Sequence, residues 1–220
     1  ILSGDLDPST GTVSIAPKTR MSVLKQDHFA FNDETVLNTV LGGNERLLAV
    51  MREKDALYMK DPFTEEDGNK AAELEAEFAE MGGWDAETET SQLLNGLGLD
   101  ADAILYTEMK NLGDVEKVKV LLARALFGKP DILLLDEPFS ALDYQTDAAL
   151  RQALAKQTHD ATVLIVAQRL STILHADQIL VLDGGRIVGC GTHSDLLRSC
   201  ETYREIALSQ LSAAELGQEG

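Results

Sequence analysis

Asp136 and Glu137 follow directly on an apolar run, Ile132-Leu133-Leu134-Leu135. Two adjacent carboxylates behind such a run stand at the carboxyl edge of a sheet, where α/β folds bind ligands. Asp136 offers a hard oxygen suited to Mg²⁺, directly or through water. Glu137 is placed to orient or deprotonate a water beside a phosphate. The four histidines, His28, His159, His175 and His193, have no ligand spacing to one another and read as surface or packing residues. Cys190 and Cys200 lack a second pair to complete a metal site, so they read as two reduced thiols.

The elements that must position these residues begin at Leu112. Val118, Leu121, Leu122, Ala125 and Leu126 form an apolar stripe on a helix. The run before Asp136 reads as a strand covered on both faces. Ala148–Leu154 reads as a helix, and Thr162–Val166 as a second buried strand rich in β-branched residues. Ile179–Leu182 and Arg186–Val188 flank Asp183-Gly184-Gly185, a hairpin turn. Thr192 caps a further helix, with Asp195 reaching back to it. Upstream, Ile1–Gly4 reads as a helix end with a glycine stop. Thr12–Ile15 and Met21–Leu24 read as strands, separated from that stop by a turn at 7–11. Strands alternating with helices predict an α/β domain with a mainly parallel sheet.

Residues 45–90 differ in kind. They hold 14 acids against 5 bases. Leu47, Leu48, Met51 and Leu57 suggest one helix, and Ala71, Leu74, Phe78 and Met81 a second, parted at Asp61-Pro62. This is a helical insertion with a solvated acidic face. The whole chain of 220 residues carries a formal charge of −18, which opposes broad binding to nucleic-acid phosphates. No apolar run approaches the roughly 20 residues that a membrane-crossing helix needs, and no leader pattern opens the chain.

The order of motifs from Leu112 to Asp143 resembles the core of the ATP-binding cassette (ABC) ATPases. In that family a signature helix precedes a strand ending in Asp-Glu-Pro and then a Ser-x-Leu-Asp loop. The corresponding residues are Leu112-Gly113-Asp114-Val115-Glu116, Leu133–Pro138 and Ser140-Ala141-Leu142-Asp143. Val23-Leu24-Lys25-Gln26-Asp27 looks like the family's glutamine loop, and Val163–Arg169 like its switch strand. The resemblance implies a P-loop NTPase-like fold that binds ATP and Mg²⁺ in a sandwich with a second cassette. Carried over residue by residue, it makes Glu137 and Gln168 catalytic. It gives nucleotide contacts to Gln26, Gly113, Asp114, Val115, Glu116, Ser140 and Asp143, and metal contacts to Asp136 and Gln26.

Two branches of the family are represented. Residues 1–138 resemble the first cassette of an ABC-F protein, a soluble tandem ATPase acting on ribosomes, with 45–90 at the place of its arm. Residues 139–220 resemble an ABC exporter cassette. The change of likeness near Pro138 implies a chimeric chain; the alternative is one natural protein with mixed features.

Three departures bear on activity. There is no G-x-x-x-x-G-K-[ST] loop to wrap the phosphates. The family places that loop ahead of a helix ending as Ile1–Gly4 ends, so the phosphate-loop part is expected to be cut off. The usual Ser-Gly-Gly of the signature is Gly113-Asp114-Val115, which puts a carboxylate where a phosphate site is expected. Asp114 also reads as a good helix N-cap. The switch position holds Gln168 in place of histidine; glutamine donates a hydrogen bond to phosphate but does not titrate near neutrality.

The expectation is therefore a single truncated ABC cassette over residues 1–220. It couples ATP binding and hydrolysis to movement of a partner and is weakly active by itself. The partners implied are a second cassette and an exporter's transmembrane domains, or the ribosome. The place implied is the cytoplasm, at the cytoplasmic face of a membrane for an exporter. The other reading is a degenerate cassette with a structural or regulatory role.

Overall fold

A computed structural model describes residues 1–4, 6–25, 30–137 and 142–211. Gln26, Pro138 and Ser140, named above, lie outside them, as does His28. The described residues form two compact units, 1–135 with 142–164, and 136–137 with 165–211.

The first unit opens with a turn in which Gly4 N–H donates to the Ile1 carbonyl at 3.0 Å. Gly4 has the positive φ of 81° expected of a glycine stop. Thr12–Ile15 forms no strand: among the described residues no backbone pairs with it, and Val13 and Ile15 stay exposed. β1 (Met21–Leu24) is a strand as expected.

Helix α1 (Val36–Leu41) is followed by α2 (Glu45–Tyr58) and α3 (Glu65–Glu80), divided at Asp61-Pro62 as the proline requires. The Asn44 side chain caps α2, accepting from Leu47 N–H at 3.2 Å. Thr64 and Asp67 form a reciprocal capping box on α3. Leu47 and Val50 of α2, and Ala71, Leu74 and Phe78 of α3, are buried at helical spacing. The acid excess is organised around the few bases. Arg46 meets Glu77 through two hydrogen bonds of 2.6 and 2.5 Å. Lys54, buried to 7 % exposure, pairs with Glu75 at 2.9 Å and lies over the rings of Phe78 and Trp84. Lys60 reaches Asp67 at 2.6 Å. Each base is consumed by an acid of its own hairpin or of a neighbouring segment, so the surplus carboxylates face water.

Asp67 makes a test of this arrangement. The Lys60 ammonium first, and then the Thr64 hydroxyl and N–H, hold its carboxyl at about 2, against 3.8 ordinarily. Its contribution to stability is present above the unfolded value and is lost as pH falls from 3.8 toward 2. A carboxyl-carbon NMR titration should place the midpoint near 2. Asp67→Asn should remove this part of the acid sensitivity of unfolding. A midpoint near 4 would contradict the pairing.

The chain continues through α4 (Ala86–Gly96) and the single turn α5 (Ala101–Ile104) into α6 (Asp114–Leu126). α6 is buried on most of its surface, with Val120, Leu122 and Ala123 fully enclosed. β2 (Ile132–Asp136) runs parallel to β1 in the register Met21↔Ile132 to Leu24↔Leu135. Asp131 fixes the entry, its carboxylate accepting from Arg20 N–H at 2.8 Å. Leu133 and Leu135 on one face have no exposure and Leu134 on the other is buried, as a strand covered on both faces requires. α7 (Tyr144–Gln157) buries Leu150 and Leu154, one turn apart. β3 (Thr162–Val166) ends the sheet order β1-β2-β3. It is not the expected strand covered on both faces: Leu164 and Val166, on the same face as the exposed Thr162, are 38 % and 49 % exposed.

The second unit is built on an antiparallel hairpin of β4 (Ile179–Asp183) and β5 (Arg186–Gly191). Gly184 and Gly185 both adopt positive φ, 53° and 74°, which a tight turn matching strand twist demands. α8 (His193–Ser199) starts with the Thr192–Asp195 capping box expected from sequence. α9 (Glu201–Gln210) follows. Ile179, Val181, Leu196, Tyr203 and Ala207 form the core of this unit. His193 Nδ1 meets the Tyr203 hydroxyl at 2.7 Å, a packing histidine as read. Cys190 and Cys200 are free thiols.

Candidate functional site

The apolar run of β2 ends where burial ends. Leu135 is enclosed, Asp136 is exposed and Glu137 is half-buried. Glu137 adopts φ 45°, a left-handed conformation that costs a β-carbon-bearing residue energy. In return the chain turns sharply at the strand end. The Glu137 N–H donates to the Val166 carbonyl at 2.9 Å, so the last residue of β3 fixes the turn.

Two residues beyond β3, the Gln168 amide donates to Glu137 Oε1 at 2.5 Å. The structure thus brings together Glu137 and Gln168, 31 positions apart in the chain. Gln168 is exposed and its backbone is held by Gln210 of α9. Gln210 was missed by sequence reasoning, because one glutamine at a helix end carries no local signal. The left-handed turn at Glu137 was missed for the same kind of reason: the residue type disfavours it.

The other expected site residues belong to the first unit. Gly113, not Asp114, is the N-cap of α6, with extended φ −70° and ψ 161°. The Glu116 carboxylate accepts from Gly113 N–H at 2.9 Å, the back-reaching half of a capping box. Asp114 is displaced by one position into the first helical turn because Glu116 already satisfies the entry from three residues ahead. There its charge still favours the helix N-terminus. Asp114 and Val115 are exposed. Asp143 caps α7, accepting from the N–H groups of Gln145 and Thr146 at 3.0 Å each. The Thr146 hydroxyl, foremost, holds the Asp143 carboxyl below its usual range.

A family model described as ABC transporter matches residues 1–140. The chain belongs to this family. It is 52 % identical, over 76 % of its length, to the uncharacterized ABC transporter ATP-binding protein YkpA of Bacillus subtilis (strain 168). It is 44 % identical, over 76 % of its length, to the probable ATP-binding protein YbiT of Escherichia coli O157:H7. The chain spans 30 % and 31 % of those two relatives. The solved structure of a bacterial Atm1-family ABC exporter with ATP bound superposes over 88 % of this chain and 29 % of the exporter's own. That likeness has a TM-score of 0.62 and 27 % identity. The parallel sheet with helices is thus the α/β fold of an ABC cassette.

Mg²⁺ usually accompanies ABC ATPases. Among the described residues no group of three His, Cys, Asp or Glu side chains is arranged to hold a metal alone. Mg²⁺ takes one or two carboxylates and completes its shell with water and phosphate oxygens. Asp136, an exposed carboxylate at the sheet edge, fits that donor set. Among the described residues no helix is long and apolar enough to cross a membrane.

Proposed function

We propose that this chain is part of a Mg²⁺-dependent ATP-hydrolysing cassette that couples nucleotide turnover to the movement of a partner. The observation that carries the reading is the Gln168–Glu137 hydrogen bond at the carboxyl end of β2. A general base must be held at hydrogen-bond reach with its carboxylate plane fixed. Here the backbone of Glu137 is tied to β3 and its side chain to Gln168.

In this reading Glu137 accepts a proton from the attacking water. Gln168 donates an N–H to the carboxylate and so orients it, and being neutral at all working pH it does not compete for the proton. The resemblance gives this amide to the phosphate; the observed geometry favours the carboxylate as its partner in the absence of nucleotide. Asp136 would hold Mg²⁺, which when bound neutralises phosphate charge. Gln26 and Ser140 keep the nucleotide roles that the resemblance gives them. Gly113–Glu116 and Asp143 face ATP in a sandwich with a second cassette.

The exporter likeness supports transmembrane domains as the partner and the cytoplasmic face of a membrane as the place. The acid surplus of 45–90 disfavours tight ribosomal RNA contact by that segment. A degenerate, non-hydrolysing cassette is the second reading, favoured by the carboxylate of Asp114 at the exposed start of α6.

The two readings separate in one measurement. A protein in which a phosphate loop precedes Ile1 should release phosphate from ATP in the presence of Mg²⁺ and not in EDTA. Asp136→Asn should raise the Mg²⁺ concentration needed for half-maximal turnover. Nucleotide binding with no Mg²⁺-dependent release would establish the degenerate reading instead.

A further inference from the structure

The Gln168 carbonyl accepts from the Gln210 amide at 3.1 Å, and the Leu170 N–H donates to the Gln210 carbonyl oxygen at 2.9 Å. One carboxamide therefore engages both backbone groups that flank Arg169. A carboxamide presents the same donor and acceptor pair as a peptide group, so Gln210 does for this loop what a neighbouring strand does for a sheet edge. The anchor is firm on its own side. Gln210 is the last residue of α9, whose Tyr203 and Ala207 are 1 % and 0 % exposed in the core of the second unit. Leu170 is itself buried, at 6 %. The loop is thus gripped by its side chain at Leu170 and by its backbone at Gln168 and Leu170.

What the grip positions is the Gln168 side chain. Gln168 is exposed, and a solvated glutamine has several rotamers open to it. Its contact with Glu137 depends on where its Cα stands, and that is the quantity that Gln210 fixes.

We propose that Gln210 is a positioning residue. It holds the 168–170 loop so that Gln168 orients the Glu137 carboxylate, and it makes the hydrolytic pair dependent on the seating of α9. The proposal rests on the reading of Glu137 as general base. Gln210 touches neither nucleotide nor water; it acts through Gln168. Any event that shifts the end of α9 changes turnover through this contact.

The test uses Gln210→Ala and Gln210→Glu, with two readouts. The first is amide hydrogen exchange in the 220-residue chain. Gln210→Ala should speed exchange at Leu170 about tenfold, the worth of one net hydrogen bond. The Leu196 N–H, which donates to the carbonyl of Thr192 at the start of α8, should keep its rate and report that the unit stays folded. Gln210→Glu keeps an oxygen for Leu170 N–H and should retain its protection, while losing the donor to Gln168.

The second readout is turnover in a protein in which a phosphate loop precedes Ile1. Gln210→Ala should lower kcat about tenfold at unchanged KM for ATP. In a Glu137→Gln background the same change should cost nothing more, since both act on one carboxylate. Unchanged exchange at Leu170, or an equal loss of kcat in both backgrounds, overturns the proposal. Gln210→Ala without effect on kcat, while Glu137→Gln is nearly inactive, overturns it and leaves the general base standing. Full turnover in Glu137→Gln removes the base, and the positioning role with it.

Discussion

Glu137→Gln lowers ATP turnover by about 10²–10⁴-fold while ATP still binds; this is the range for removing a general base. The substitution is well suited to isolating proton transfer. The new amide keeps the shape of the carboxylate, and its carbonyl oxygen still accepts from Gln168. The backbone bond from residue 137 to Val166 does not involve the side chain. The left-handed φ of 45° is no harder for glutamine than for glutamate. What is lost is the capacity to take a proton from water. Phosphate release at saturating Mg²⁺-ATP, in the protein with a phosphate loop ahead of Ile1, gives the turnover; calorimetry gives the binding. Equal turnover in both proteins would exclude Glu137 as the base. Loss of binding along with turnover would point to a structural role for the strand end.

Restoring Ser-Gly-Gly at positions 113–115 should strengthen ATP-dependent self-association tenfold or more. In the proposed sandwich the start of α6 faces the γ-phosphate held by the other cassette. A helix N-terminus attracts anions, but here two carboxylates already occupy its field. Glu116 takes the Gly113 N–H, and Asp114 stands exposed in the first turn. Two like charges ~4 Å apart repel by about 4 kcal/mol at an effective dielectric near 20. Solvent, salt and Mg²⁺ reduce this to about 1–2 kcal/mol, about a five- to thirtyfold effect on an equilibrium. The serine hydroxyl adds a donor where Gly113 has none. Light scattering with and without ATP, at low and high salt, measures the change, with circular dichroism to confirm that α6 survives two added glycines. Equal association before and after the change would mean that Asp114 points away from the second cassette.

Much of the architecture was legible in the residues. The Asp61-Pro62 break, the buried run of β2, the Gly184-Gly185 turn and the Thr192–Asp195 cap each rest on interactions between near neighbours. Such signals are complete within a few positions of the chain. The failures share a different cause. Thr12–Ile15 alternates correctly, yet a strand requires a partner edge, which no local pattern reports. Thr162–Val166 is apolar enough to be buried, yet the face that carries Thr162, Leu164 and Val166 stays exposed, and what covers a strand face is not written in the strand. Asp114 has the right type for a cap, but Glu116 three residues after Gly113 competes for the same entry and moves the cap by one.

The candidate site divides along the same line. The residues alone name the groups present: two carboxylates behind an apolar strand, a neutral amide at the switch position, and an acidic residue in the signature. Their order and spacing were enough to find the family. The folded chain is needed to place the Gln168 amide on Glu137, to turn Glu137 through a left-handed conformation, and to set Gln210 on the backbone of Gln168 and Leu170. Hydrogen bonds reaching 31 and 42 positions along the chain depend on where whole elements come to rest. That is set by burial of Leu170, Tyr203 and Ala207 in a shared core, a collective property that no single residue or short motif encodes.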